Sequence, residues 1–291
     1  MSRAYLFFLL SIFFAISCKK PEEKQSELFT KGETLGVVDD RLHEASGLIE
    51  SVANPKHFWT LNDSGNPAEV FLIDQKANIQ MVCKLKGIDN RDFEDITMGA
   101  GPVEGKNYIY VADIGDNLSR HFIKLIYRFQ EPVFMAGSND IEVTDFDTLK
   151  IKLSDRPRDT EAILVDPLSK DIYLVSKLED SVSLYQIKFP FQNDTLTAEK
   201  LAILPLKKIT AGNISPDGKE VLLKDYKNVY YWKNDQGLPL SQLMLTVPTV
   251  LAYSKEPQGE AICWARDGGG YYTLSEKADG RLGRLLYYKR K

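Results

Sequence analysis

Acid-headed apolar runs recur along the chain at intervals of roughly fifty residues, each followed by further short runs rich in β-branched and aromatic residues. No segment carries a sustained helical period. Together these features predict an all-β fold. A four-strand unit of that length fits a β-propeller with five blades, or six if the region 131–150 hides extra strands. An open sandwich or two smaller β domains are the alternatives. With 291 residues and 43% hydrophobic content, the chain can bury a sizeable core as one domain.

The first strand of each unit begins at Glu44 (EASGLI), Glu94 (EDITMG), Glu161 (EAILVD), Gly212 (GNISPDG) and Glu260 (EAICWA). The interval between Glu94 and Glu161 is the longest and holds the turn-rich EPVFMAGSND, 131–140. Second strands follow as WTLND (59–63), IYVAD (109–113), YLVSK (173–177), EVLLK (220–224) and YTLSE (272–276). Third strands read EVFLID, KLIYRF, SLYQIK, VYYWK and RLLYYK, and fourth strands IQMVCKL, DTLKIKL, KLAILPL and SQLMLTV. The last unit reaches Lys291 with three strands. Thr34-Leu35-Gly36-Val37-Val38, just ahead of the first unit, is the candidate for its missing fourth. Closing the ring in this way would cover a bare sheet edge.

Ahead of the repeat, Arg3 and the apolar LFFLLSIFFAIS (6–17) read as a signal peptide over residues 1–17, too short for a comfortable membrane span. Ala15-Ile16-Ser17-Cys18 resembles a bacterial lipobox, although Leu is absent at Ala15. That resemblance implies cleavage before Cys18 and lipid attachment to its sulfur, with palmitate among the expected chains. Residues 18–33 open on the charged KKPEEKQSE and are expected as a flexible tether, and 34–291 as a single propeller domain. The acidic PEE resembles export signals of some Gram-negative lipoproteins. The expected location is therefore the bacterial cell envelope, as an outer-membrane lipoprotein in the periplasm or on the surface.

A net charge of −4 argues against a nucleic-acid binder. Cys83 and Cys263 lie in apolar strand-like runs and read as separate buried thiols. Three histidines, His43, His57 and His121, make a His-based metal site a poor expectation. SPDGK (215–219) and DGGG (267–270) read as hairpin turns. Tyr230-Tyr231-Trp232 and Tyr287-Tyr288 read as packing between blades. Ser46 lacks the strand, elbow and helix of a hydrolase nucleophile.

In a propeller the start of each first strand and the end of each second strand share one face near the central channel, because consecutive strands form antiparallel hairpins. This rule gathers Glu44, Asp63, Glu94, Asp95, Asp113, Glu161, Glu260 and Glu276 at one mouth, with Lys177 and Lys224 as its basic members. Asn62, Asp116, Asn117 and Lys277 fall close by, as do Arg158 and Asp159. The recurrence of Asp63-Ser64-Gly65 at Asp113-Ile114-Gly115 follows: both end second strands, where Gly permits reversal and Asp bonds the turn. A ring of acids needs compensation from a bound cation, from lysines or from raised carboxyl pKa values. Oxygen-only ligands suit Ca²⁺ or Mg²⁺.

The stretches EASGLI…WTLNDSGNP, NRDFEDI…IYVADIGDN and RDTEAILVDP…IYLVSK resemble an uncharacterised group of bacterial secreted and lipoprotein β-propellers. That group is distantly similar to regucalcin/gluconolactonase-like and esterase-like phytase propellers. The resemblance covers most of residues 40–290, and it implies a metal-dependent hydrolase site in the channel. The chain departs from that pattern in its five counted blades and its mouth lysines, so catalytic residues do not transfer. Three functions stand: a non-enzymatic envelope lipoprotein whose mouth binds a small ligand, a glycan or a protein; a divalent-metal-dependent hydrolase of an ester, lactone or phosphoester; and a glycoside hydrolase. In the hydrolase reading Glu44, Glu161 or Glu260 would hold the ion and Asp63 or Asp113 would act as base. The chain is expected as a monomer.

Overall fold

The computed structural model describes residues 26–137 and 140–291. The signal peptide and Cys18 lie outside the described residues. Among the described residues no helix is long and apolar enough to cross a membrane.

The strands pair as five antiparallel four-stranded units. The first holds β2 (Ala45–Glu50), β3 (His57–Asn62), β4 (Glu69–Asp74) and β5 (Ile79–Leu85). The second holds β6 (Phe93–Ala100), β7 (Asn107–Asp113), β8 (Lys124–Gln130) and β10 (Asp147–Leu153). The third is β11 (Thr160–Val165), β12 (Ile172–Ser176), β13 (Val182–Ile187) and β14 (Leu196–Leu204). The fourth is β15 (Ala211–Ile214), β16 (Glu220–Lys224), β17 (Val229–Lys233) and β18 (Thr249–Leu251). The fifth is β19 (Gln258–Trp264), β20 (Gly270–Glu276), β21 (Arg284–Lys289) and, from the N-terminal end, β1 (Glu33–Val37), antiparallel to β21. The first strands touch in the order β2, β6, β11, β15, β19 and back to β2, which closes a ring.

The burial pattern has a physical cause. Strands near the axis are flanked on both faces by neighbouring units, so β11 and β12 are buried at every residue. Outer strands face solvent on one side, and β10 alternates accordingly. The apolar side chains form separate cores, one in each gap between adjacent units. The predicted N-terminal closing strand is therefore present, and each end of the chain covers the edge left by the other.

Three expectations need correction. SQLMLTV is not a strand. It lies where a short helix, α1 (Leu240–Leu243), fills the gap beside the third unit, and the fourth strand is Thr249–Leu251. The region 131–150 adds β9 (Asp140–Val143), parallel to the edge of β5, rather than a further unit. Likewise residues 26–33 are not all tether. Phe29 is 2% exposed, packed on Tyr231, Trp264 and Tyr271 between the fourth and fifth units. Cys83 and Cys263 are free and buried.

Candidate functional site: an acid-lined mouth on the ring axis

A shared backbone device builds the mouth. The first strand of every unit except the fourth slips register by one residue where it enters the sheet. The residue left out of the ladder is Gly47 in the first unit, Glu94 in the second, Glu161 in the third and Glu260 in the fifth. A β-bulge frees a residue from pairing and re-aims its side chain. Three glutamates are thereby presented together at one end of the axis. Asp92 and Asp159 stand two residues ahead of their bulges, so the second and third units each supply Asp-x-Glu. The ends of second strands add Asp63, Glu276 and Lys177.

One carboxylate oxygen from each of Asp63, Asp92 and Glu94 lies within 4.8 Å of the others, and the same holds for Glu94, Asp159 and Glu161. Glu94 belongs to both groups. At that spacing each ionised pair repels by about 3.5 kcal/mol at an effective dielectric near 20. Burial, and then Glu161 and Asp63, push the Glu94 carboxyl well up. Burial also drives Glu161 up, and the two carboxyl groups interact directly with each other. Burial, with Asp92 and Glu260 behind it, pushes Asp63 up to about 6, against a Ser64 N–H bond that favours the anion. Asp92 is raised, again chiefly by burial.

Lys177 is the cation that faces these acids. Its Nζ lies 2.9 Å from Glu161 Oε2 and 5.6 Å from the centre of the Tyr226 ring. Burial works against its charge, but Glu161 and Glu260 outweigh that and hold the ammonium above its ordinary value. Neighbouring cations have closer partners outside the cluster, although Lys124 and Arg91 also favour the Asp92 anion. Arg91 donates to the Ile123 and Asp113 carbonyls, at 3.2 and 3.0 Å. Lys124 lies 3.3 Å from Asp116, and Arg158 pairs with Asp155 at 2.7 Å and with Glu179. Asp159 Oδ1 accepts the Asp116 N–H at 2.7 Å, while Oδ2 is buried with no hydrogen-bond partner. A buried, unpaired carboxylate oxygen is costly. The donor set is all oxygen, which fits Ca²⁺ or Mg²⁺.

The structure thus brings together Asp63, Glu94, Glu161, Glu260, Glu276 and Lys177 from the predicted set. Four others are placed differently. Glu44 stands at the rim, its side chain 47% exposed and accepting from Asn66 Nδ2, because the bulge of its strand falls at Gly47. Asp95 follows a bulge and is fully buried, accepting N–H bonds from Ile96 at 2.8 Å and Ile163 at 3.1 Å. Asp113 accepts the Asp92 N–H at 3.0 Å and lies 3.4 Å from Arg91 Nε, which makes it a brace beneath the site. Lys224 is turned into the gap between the fourth and fifth units, donating to the Asp225 and Gly259 carbonyls at 2.9 and 2.8 Å. Asp92 and Tyr226 were not anticipated. The repeated Asp-x-Glu of NRDFEDI and RDTEAIL was the available signal for Asp92; nothing local marked Tyr226.

Glu276 carries a pH prediction. Burial, then Glu260 and Asp63, push its carboxyl from 4.5 up to about 8. A raised carboxyl favours the folded state fully below the unfolded value, and that contribution is lost as pH rises through the folded one. Cation-free protein should therefore lose stability between about pH 4.5 and 8. Glu276→Gln should flatten this slope in urea unfolding measured across the window. An unchanged slope contradicts the assignment.

No family model matches the chain, and no curated protein matches it in sequence. Among solved structures it is similar to the PQQ-bound form of an aldose sugar dehydrogenase from Streptomyces coelicolor, with a TM-score of 0.55 and 9% identity, over 89% of this chain and 97% of that one. The chain is a β-propeller. A chain of a nidogen/laminin complex also matches, with a TM-score of 0.45 and 13% identity, over 79% of this propeller and 72% of that chain. Identities this low speak to fold alone.

Proposed function

We propose that the protein is a lipid-anchored bacterial envelope propeller, held through Cys18, whose mouth takes up Ca²⁺ or Mg²⁺ as part of a ligand-binding site. Asp92, Glu94, Asp159 and Glu161 would hold the ion, with Asp63 alongside. The observation that carries this reading is the unpartnered, buried Oδ2 of Asp159 beside the two linked carboxylate groups. A divalent ion supplies the positive charge that Lys177 alone does not, and would polarise an oxygen of the bound ligand. Glu94 and Glu161 bring carboxylate oxygens within 4.8 Å of each other, closer than the pair that flanks a glycosidic bond, so they do not support the glycoside hydrolase reading.

Thermal unfolding in EDTA, CaCl₂ and MgCl₂ tests the ion. Binding at a hundredfold excess over Kd should raise the midpoint by roughly 5–10 °C. Asp159→Asn removes repulsion as well as a ligand. It should keep or raise the cation-free midpoint and lose the cation-dependent rise. No rise in the parent protein with either salt sinks the reading.

A further inference from the structure

A second concavity opens on the mouth face, between the loop that follows β16 and the loop that precedes β19. It is a cavity of 540 Å³, within the usual range for small-ligand sites. Tyr226, Tyr253 and Pro257 give it flat, apolar walls, and Lys227 and Lys255 stand exposed at its edge. Among the described residues neither ammonium is paired with a carboxylate. The one acid in the lining, Glu256, is already engaged. Its Oε2 accepts from the Tyr253 hydroxyl and its Oε1 from Thr273 at 2.9 Å. Burial pushes the Glu256 carboxyl up, and the buried Lys224 behind it offsets what charge it keeps. In a protein of net charge −4, beside an acidic mouth, this cavity presents unpaired positive charge over aromatic walls.

We infer that this cavity binds a small carboxylate with a ring for a body. The lysines take the carboxylate and the tyrosine faces take the ring. Two sources share that chemistry, an aromatic acid and a sugar acid. Tyr226 is the common wall of cavity and mouth, since its ring also faces Lys177. A molecule seated here therefore reaches the edge of the acid cluster. The inference deepens the ligand-binding reading by naming the ligand class, and it does not require the cation.

Calorimetry on the full chain with benzoate and with glucuronate, each with and without CaCl₂, tests it. Binding of either acid supports the inference, and which one binds identifies the source. The variant carrying Lys227→Ala and Lys255→Ala should lose at least tenfold in affinity while its unfolding midpoint in CaCl₂ stays that of the parent. Benzamide, which lacks the charge, should bind at least tenfold more weakly than benzoate. Tightening of the acid by CaCl₂ would join the two sites, and binding that ignores CaCl₂ leaves this inference standing even if the mouth takes no ion. The inference is overturned if neither acid binds at millimolar concentration, or if the double variant binds as the parent does.

Discussion

Lys224→Ala is expected to lower unfolding stability by about 3–5 kcal/mol. Lys224 is fully buried, and its Nζ donates to two backbone carbonyls and sits 4.7 Å from the centre of the Tyr253 ring. Truncation leaves both carbonyls without that donor and Glu256 buried without its cation. The fourth and fifth units meet through this network, so its loss loosens one sector of the ring. Adding Glu256→Gln to Lys224→Ala should recover part of the loss, because the stranded acid is then neutral. The exposed neighbour Lys227→Ala should stay within about 0.5 kcal/mol of the parent. Urea unfolding reads all three. A Lys224→Ala loss below about 1 kcal/mol would show that the network contributes little.

Gly36→Ala should unlatch the ring. A Cβ at Gly36 would stand 2.0 Å from the Lys76 carbonyl oxygen and 2.2 Å from its carbon. The obstacle is backbone in the turn between β4 and β5, and it cannot step aside as a side-chain tip can. β1 also changes register against β21 between Thr34 and Gly36, so the strand has been fitted around this contact. Moving β1 away bares the β21 edge and uncovers the core between the first and fifth units. Expected results are a loss of roughly 3 kcal/mol or more, faster amide exchange along Arg284–Tyr287, and concentration-dependent association on gel filtration. Parent-like exchange along β21 would show that β1 is not the latch.

The repeat was legible because each unit writes its strands as β-branched and aromatic runs between turn residues, and ring closure was legible because the last unit falls one strand short. The misreadings trace to features that alternation does not encode. A bulge shifts every following side chain by one position, so the glutamates marking three units proved to be bulge residues, whereas Glu44 is set three residues ahead of its own bulge at Gly47. Asp95 and Glu94 are sequence neighbours with opposite fates for the same reason. Lys224 ends a second strand as Asp113 does, yet the fourth unit has no bulge, and the lysine is held in the gap by the Asp225 and Gly259 carbonyls. SQLMLTV was apolar enough for a strand, but its apolar side chains fill the gap beside the third unit from a helical turn.

Calorimetric titration of CaCl₂ and MgCl₂ into the parent protein, Glu94→Gln and Glu44→Gln puts the mouth to its most direct trial, since Glu94 belongs to both carboxylate groups and Glu44 to neither. Saturable binding should survive Glu44→Gln and vanish in Glu94→Gln. Parent-like binding by Glu94→Gln, or loss in Glu44→Gln alone, would contradict a site assembled from acids of separate units around the axis.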